Sequence, residues 1–261
     1  MREQTVDDRR GVLRTPPPEA FQLRRWDPSP ALAPFADFHW AVEWDLRGRP
    51  PHTQVTLAHP AAHVVVEEGQ TRLYGPARRR FERVLRGRDR AVATRFRPAG
   101  ARALLGRPVA SIADRFVDAR PLGLDLADAI ADAPLDEAVA RLDAALVDVL
   151  PDAPDPAAEL AAAALARLAA DRSLRRVGDL AAALGLSSRS LQRLFADYVG
   201  VPPAEVARRL RLQEAAAAAT SQEPVDWARL AAELGYCDQA HLVRDFTNAI
   251  GTPPARYASA T

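Results

Sequence analysis

Two stretches in the last third of the chain repeat each other and decide the fold. The first, at 180–203, reads LAAALGLSSRSLQRLFADYVGVPP, and the second, at 230–254, reads LAAELGYCDQAHLVRDFTNAIGTPP. The opening Leu-Ala-Ala and the Leu-Gly that follows match at an offset of 50 residues, and the later Leu-x-Arg-x-Phe and Gly-x-Pro-Pro match at an offset of 51. The extra residue falls between the two matches, where a turn tolerates a change of length. The repeat predicts two copies of one supersecondary unit.

Each copy has the pattern of a helix-turn-helix. The first helix is expected to end at Gly185 or Gly235, because glycine adopts the positive φ that stops a helix. A residue with a capping side chain then begins the second helix. The candidates for this cap are Ser187 or Ser188 in the first copy and Cys237 or Asp238 in the second.

The second helix of each copy has a clear inner face. In the first copy Leu191, Leu194 and Phe195 recur at helical spacing and are expected to face the core. Leu242 and Phe246 take this role in the second copy. Between the copies, residues 204–220 are rich in alanine and arginine, which favour a helix, so we expect a rigid spacer there.

The chain before the repeat has a different pattern of residues. Short runs rich in Val, Thr and aromatic residues predict strands at 38–46, 53–58, 62–67, 71–75 and 91–97. A turn at Glu68-Gly69-Gln70 predicts a hairpin. Helices are expected at 101–105, 108–116, 122–131 and 135–150.

These patterns predict two domains with a break at the Pro-rich segment 151–156. We expect a flexible lead-in at 1–25, and an α+β domain at 26–150 that combines a small antiparallel sheet or barrel with trailing helices. An all-α domain at 157–258 follows, in which a linker helix joins two helix-turn-helix units.

The C-terminal pattern resembles the AraC/XylS family of bacterial transcription regulators over residues 157–258. Two helix-turn-helix units in tandem, each followed by Gly-x-Pro and joined by Arg-Leu-Arg-Leu-x-x-Ala at 209–215, carry the resemblance. The second unit departs from the family pattern at Cys237, Ala240 and Asp245. Asp245 stands where a basic residue is common, which implies a weaker phosphate contact.

Residues 35–118 are similar, more loosely, to a small β-rich sensor domain of such regulators. Phe96-Arg-Pro-Ala-Gly-Ala, the Leu-Gly-Arg-Pro that follows and an earlier His-Pro-x-x-His carry this likeness. The partners that the resemblance implies are double-stranded DNA and an unidentified small-molecule effector, with RNA polymerase as a further candidate. It implies no cofactor.

The family position and the helical phase together assign the residues that would contact DNA. The second helix of such a unit enters the major groove and presents its exposed N-terminal face to base edges. The candidates are Arg189, Gln192 and Arg193 in the first unit and Gln239, Ala240, Val243 and Arg244 in the second. A solvated polar face is the alternative for each of them.

The sensor-like half offers weaker candidates. Trp40, Trp44 and Tyr74 are candidates for the wall of an effector pocket, although aromatics at alternating strand positions are also typical of a core. His59 and His63 are candidates for the same pocket. With Glu67 they would form a metal site only if they converged, and residues four apart on a strand lie about 13 Å apart.

Composition excludes several classes of protein. The 261 residues carry a formal net charge of +1, and all 35 basic residues are arginine. No run of about 18 apolar residues suggests a membrane span, and no secretory signal precedes the first strands, so we expect a cytoplasmic protein. The basic run from Arg78 to Arg90 is expected to be a solvated loop.

The single cysteine, Cys237, excludes an internal disulfide and a zinc site built of cysteines alone. It also excludes the alkyl-transfer domain that is fused to some family members, which needs several. Cys237 is either a redox-sensitive thiol near a helix N-terminus or, as we expect, a substitute for serine.

No catalytic motif is present, so the sequence predicts a regulator that is not an enzyme. Two alternatives stay open. One is a small-molecule or metal-dependent enzyme in the N-terminal sheet, which a metal at His59 and His63 would favour. The other is a protein-interaction module whose helix-turn-helix units do not touch DNA.

Overall fold

The computed structural model describes residues 3–4, 12–14, 21–56, 60–78, 80–220 and 225–258. Ten strands are numbered in chain order. They are β1 (Glu3–Gln4), β2 (Val12–Arg14), β3 (Phe21–Trp26), β4 (Ala36–Asp45), β5 (His52–Thr56), β6 (His63–Glu67), β7 (Gln70–Tyr74), β8 (Phe81–Leu85), β9 (Arg88–Phe96) and β10 (Phe116–Asp118).

Seven of these strands form one antiparallel sheet in the order β1-β3-β4-β9-β6-β7-β10. Alternate residues of β4 point to opposite faces, as the period of two requires. Phe38, Trp40 and Trp44 lie on one face. Ala41 lies on the other face, in the main core. The sheet therefore separates two environments.

A second antiparallel sheet, of order β2-β5-β8, covers the face that carries the tryptophans. Leu85 of β8 packs with Trp44 and Val65 of the large sheet in a small core of their own. The two sheets therefore form a sandwich with a space between them.

Helices cover the opposite face of the large sheet. They are α1 (Pro98–Leu105), α2 (Ala127–Ile130) and α3 (Leu135–Val149). Leu142 and Leu146 of α3 are fully buried in the core that these helices share with the sheet. His39 of β4 is also fully buried here, and its Nε2 lies 3.0 Å from Oδ2 of Asp143 on α3.

The remainder of the described chain is helical. It comprises α4 (Pro156–Ala170), α5 (Val177–Ala183), α6 (Ser188–Tyr198), α7 (Pro203–Ala219), α8 (Trp227–Glu233), α9 (Gln239–Ile250) and α10 (Pro254–Ala258). Two separate cores organise these helices. Phe195 lies at the centre of the first, and Phe246 at the centre of the second.

The two halves of the chain touch each other extensively. Helix α4, which follows the Pro-rich segment 151–156, packs against α1. Ala158 of α4 belongs to the core of the N-terminal half. The side chain of Tyr198 at the end of α6 packs against the cores of both halves.

The predicted fold class is confirmed: an α+β region with antiparallel sheets precedes an all-α region with two helix-turn-helix units. The hairpin at Glu68-Gly69 is confirmed as well, since Glu67 pairs with Gln70. The linker helix, predicted at 204–220, spans Pro203–Ala219. No helix among the described residues has the length and apolar character needed to cross a membrane.

Three local predictions are wrong. The expected lead-in at 1–25 includes β1, β2 and most of β3, which are paired in the sheets. The helix expected at 108–116 is a short 3-10 turn at Val109–Ile112, and Phe116 begins β10. The basic run is not a loop throughout, because Arg83 lies in β8 and Arg88 and Arg90 lie in β9.

Candidate functional site

The first helix-turn-helix unit consists of α5 and α6. Gly185 in the turn has a φ of 67°, as expected for a residue that stops a helix. Ser187 is the N-cap of α6: its side chain accepts a hydrogen bond from the backbone N–H of Ser190 at 3.1 Å. The cap fixes where α6 begins and therefore which residues occupy its first exposed turn.

Packing of α6 leaves one face free. Leu191 and Phe195 are fully buried, so the opposite face is directed away from the core. Arg189, Gln192 and Arg193 lie together on that face and are exposed. Within the described part of the chain, no residue is hydrogen bonded or ion paired to these three side chains. The structure thus brings the three candidates of the first unit together as available donors.

The second unit, α8 and α9, repeats this geometry. Gly235 in its turn has a φ of 77°. Asp238 rather than Cys237 is the N-cap of α9, and its Oδ1 accepts a hydrogen bond from the N–H of His241 at 2.6 Å. Leu242 and Phe246 are fully buried, as predicted.

Three of the four candidates on α9, namely Gln239, Ala240 and Arg244, are exposed on one face. Val243 is half-buried and presents only part of its side chain. His241 was missed by the sequence analysis. It is exposed in the first turn of α9, where its ring meets Tyr236 edge-on with centroids 5.1 Å apart.

Asp245 of α9 is held in contacts inside the helical half. Its carboxylate turns toward the linker helix α7, where Arg208 Nε donates to Oδ1 at 2.8 Å, and it also accepts from the Tyr236 hydroxyl at 2.8 Å. Only 16% of the Asp245 side chain is exposed. Burial of the Tyr236 hydroxyl raises its pKa above the ordinary value, and the hydrogen bond to Asp245 raises it further. The negative charge of Asp245 is therefore paired with Arg208 of the linker helix, and the weaker phosphate contact at this position stays a prediction.

The linker helix is fastened to the second unit by a second contact. The guanidinium of Arg211 lies over the ring of Tyr236, with its carbon 5.2 Å from the centroid. Together with the contact between Arg208 and Asp245, this contact fixes α9 relative to α7. A spacer that is tied to the unit it carries can transmit a defined orientation.

A cavity of about 610 Å³ lies between the two sheets of the N-terminal half. Trp40, Trp44, His63 and Tyr74, four of the five residues named as effector candidates, line it. The fifth, His59, lies outside the described residues. The structure therefore brings these four residues together at one cavity. Their positions along the sequence did not establish this.

Most of the cavity wall is apolar and aromatic, with charge at defined points. Glu67 is buried in the wall, where it accepts a hydrogen bond from the Tyr74 hydroxyl at 2.6 Å and pairs with Arg83 at 2.6 Å. Burial and this bond to Glu67 raise the pKa of Tyr74. Trp40 Nε1 donates to His63 Nδ1 at 3.1 Å.

Several lining residues were missed because they come from segments that the sequence analysis interpreted wrongly. Phe21 and Leu23 belong to the supposed lead-in, and Arg83 belongs to the supposed loop. In β3, Phe21, Leu23 and Arg25 share one face of the strand, and Trp26 lies on the other. This alternation with a period of two is the signal that would have identified the strand.

The histidines do not form a cluster in the described residues. His39 lies on the helix-covered face of the large sheet, whereas His63 lines the cavity on the other face. Among the described residues, no group of three or more His, Cys, Asp or Glu side chains is arranged to hold a metal ion. Cys237 is exposed next to the cap of α9.

Two family models match the chain. Residues 180–260 match a helix-turn-helix domain, which covers both units described above. Residues 24–118 match a domain of unknown function, DUF6597, which covers the second half of β3, the strands from β4 to β10 and most of the cavity lining. No curated protein matches the chain.

Solved structures with some similarity to this chain were also found. A transcriptional regulator with an AraC-type DNA-binding domain from Chromobacterium violaceum is 22% identical, covering 39% of this chain and 90% of its own, with a TM-score of 0.36. Unsaturated fatty acid bound ToxT from Vibrio cholerae is 10% identical, covering 92% of this chain and 91% of its own, with a TM-score of 0.38.

Proposed function

We propose that this chain is a DNA-binding transcription regulator of the AraC type that reads a bipartite DNA site with α6 and α9. One observation carries the proposal. The two helices occupy equivalent positions in a repeat, each begins at a side-chain cap, and each presents an exposed polar face that no described residue covers.

The exposed side chains suit base recognition. Arginine binds the O6 and N7 of guanine with two hydrogen bonds, and glutamine binds adenine in the same manner. Arg189, Arg193 and Gln192 offer these groups on α6, and Arg244 and Gln239 on α9. Ala240 and the exposed part of Val243 fit against a thymine methyl group.

Two recognition helices in one chain imply an asymmetric site. Successive major grooves on one face of DNA are about 34 Å apart, so each helix would read its own half-site. The first helix offers two arginines and a glutamine, and the second offers one of each. We therefore expect the half-site read by α6 to contribute more of the specific affinity.

The test begins by selecting bound sequences from a random DNA pool with the full chain. The selected site is then mutated at every position and titrated with wild type, Arg193→Ala and Arg244→Ala at one salt concentration. Each substitution is expected to cost about 1–3 kcal/mol at one or two base positions, since each removes a bidentate contact. The two affected regions should lie about one helical turn apart.

Arg141→Ala, an exposed arginine on α3 that pairs with Glu137 in the same helix, is the matched control. It should leave the base preferences unchanged. If Arg193→Ala and Arg244→Ala relax the same positions, the bipartite assignment is wrong. If the selection yields no sequence, or binding does not weaken with salt, the chain does not bind DNA as a regulator would.

We also infer that residues 26–150 form a sensor whose effector occupies the cavity between the sheets. The supporting observation is the cavity itself: its volume lies in the range of small-molecule sites, and aromatic walls with a few fixed polar groups are typical of them. The arginines in its lining outnumber the acids, which favours a ligand with an apolar body and an anionic group.

The dye anilinonaphthalene sulfonate has both features and serves as the probe. Trp40 and Trp44 line the cavity, so a bound dye should quench the fluorescence of the full chain and itself become bright. Leu23→Trp, which adds an indole from β3 into the same space, should weaken dye binding about tenfold or more. Equal affinities for wild type and Leu23→Trp would remove the basis of this assignment.

The rival assignment, a metal-dependent enzyme in this half, has a direct test. The full chain would be melted with and without zinc, because a metal that binds the folded state must raise the melting temperature. We expect any effect of zinc on the melting temperature to be the same in the wild type and in His63→Ala. A shift that depends on His63 would favour the enzyme.

A further inference from the structure

One loop of the N-terminal half touches both helix-turn-helix units. This bridging loop, residues 75–78 and 80, connects β7 to β8. Gly75, Ala77 and Arg80 belong to the cavity lining. The loop therefore has one side on the cavity and the other on the C-terminal half.

The bridging loop is held firmly on the side of the sheet. Gly75 donates its N–H to the carbonyl of Arg115 at 2.9 Å, and Asp114 donates to the carbonyl of Pro76 at 3.2 Å. A side chain at Gly75 would collide with the backbone of Ile112. These contacts tie Gly75 and Pro76 to the segment 109–115.

The first contact with the helical half is at the end of α6. Gly200 has a φ of 82°, and a Cβ atom there would lie 2.6 Å from Cγ of Pro76 and 2.8 Å from Cγ1 of Val109. Only glycine satisfies both the backbone conformation and this close approach. The end of the first recognition helix is therefore packed directly on the bridging loop.

The second contact is at the end of α9. Gly251 has a φ of 89°, and the guanidinium of Arg80 occupies the space that its Cβ would need. Arg80 Nη1 also approaches the carbonyl of Ile250, the last residue of α9, at 3.4 Å. The Nε of Arg80 is paired with Glu82 of β8 at 2.5 Å.

The two contact points are equivalent. Gly200 and Gly251 occupy the same position in the two repeat units, 51 residues apart, and each follows a recognition helix. A single loop thus meets both helices at the same structural position. A DNA site of two half-sites demands a fixed separation and rotation of the helices that read it.

We propose that the bridging loop sets the spacing of the two recognition helices, and that occupancy of the cavity changes this spacing through Arg80. The inference rests on the proposed function, since it concerns how the same cavity regulates the same DNA-binding surface. A ligand against Gly75, Ala77 or Arg80 moves the loop, and the loop moves the ends of α6 and α9 relative to each other.

The experiment measures the tolerance of the full chain for half-site spacing. Operators from the random-pool selection are shortened or lengthened by one, two or three base pairs between the half-sites. One base pair rotates one half-site by about 34° relative to the other. We expect the wild type to lose about tenfold or more in affinity for a change of one base pair.

Arg80→Ala and Arg80→Gln should lose less than about threefold for the same change, while their base preferences within each half-site stay those of the wild type. The matched control is Arg78→Ala, which removes an exposed arginine of the same loop that pairs with Asp114 and not with the helical half. It should keep the spacing profile of the wild type.

Leu23→Trp imitates an occupied cavity without altering the loop sequence. Its preferred spacing should differ from that of the wild type. If affinity depends on half-site spacing in Arg80→Ala and Arg80→Gln as it does in the wild type, the proposed role of the loop is wrong. An unchanged optimum in Leu23→Trp would overturn its coupling to the cavity. A chain that selects no bipartite site contradicts the proposed function instead, and the two failures are therefore distinct.

Discussion

Arg208 of the linker helix holds Asp245 of the second recognition helix by two of its nitrogens, Nε at 2.8 Å and Nη2 at 2.7 Å from the same carboxylate oxygen. Both side chains are largely shielded from solvent. The pKa of Arg208 is raised, because its contacts with Asp245 and Glu205 outweigh the effect of burial, which lowers it. The pair locks the orientation of α9 on α7, the helix that leads back to the first unit.

A double-mutant cycle tests this lock. We expect Arg208→Ala and Asp245→Ala each to lower the free energy of unfolding by about 1–3 kcal/mol, because each removes a hydrogen bond between two charged, half-buried groups. The double variant should lose less than the two losses combined, by about 0.5–3 kcal/mol. Urea unfolding of the four proteins measures this. Simple additivity would mean that the pair contributes nothing as a pair.

We expect the buried contact between His39 and Asp143 to contribute to stability in acid. Burial acts to raise the pKa of Asp143, but hydrogen bonds from His39 and Ser29 outweigh it and hold this pKa below the ordinary value. A lowered pKa in the folded state contributes stability above the pKa of the unfolded chain, and this contribution is lost as the pH falls through the folded pKa.

Asp143→Asn should therefore be less stable than the wild type by about 1–3 kcal/mol at neutral pH. The difference in unfolding free energy should shrink as the pH falls from about 5 toward 2. Asp148→Asn, at an exposed position of the same helix, is the control and should show no comparable difference. A difference for Asp143→Asn that stays constant with pH would contradict the assignment.

The caps of the recognition helices separate stability from DNA affinity. Asp238→Ala should destabilise the protein by about 1 kcal/mol, because the N–H of His241 loses its acceptor. Asp238→Ser keeps an acceptor but removes a negative charge from a helix N-terminus expected to lie near phosphates. It should preserve the melting temperature and tighten DNA binding, and weaker binding would argue that this end of α9 faces away from DNA.

Core substitutions should abolish one unit at a time. Phe195 and Phe246 are fully buried in two different cores of the helical half. Phe195→Ala and Phe246→Ala should each cost about 3–5 kcal/mol. Each should erase protection of its own half-site in a footprinting experiment, without changing base preference in the other. Loss of both half-sites from either single substitution would show that the units are not independent.

The helix-turn-helix region could be predicted almost completely from the sequence. The repeat doubles every local signal: the glycine that ends the first helix, the cap and the buried Leu-x-x-x-Phe spacing occur twice at matched positions. The inner and outer faces of α6 and α9 follow from helical periodicity alone. The caps could only be narrowed to two candidates each, since the choice depends on backbone geometry.

The sheet and the cavity could be predicted only in outline. Pairing of β8 with β5 joins strands that are separated in sequence by β6 and β7, so the charged segment around Arg83 gave little local sign of being a strand. Arg83 is fixed by Glu67, and Arg90 by the carbonyls that end α2. Such tertiary partners turn a run of arginines into ordered structure.

The packing of α4 on α1 determines which parts of this protein can be exchanged. A chimera cut at 151–156 would transplant the two helix-turn-helix units together with α4, whose inner face around Ala158 packs on the donor's α1. A sensor from another protein would not have a surface that fits this face of α4 or the glycines at 200 and 251. The part of the chain that can be exchanged as one piece is therefore larger than the Pro-rich segment 151–156 suggests. A successful recombination should transfer α1 and the loop after β7 together with the helices.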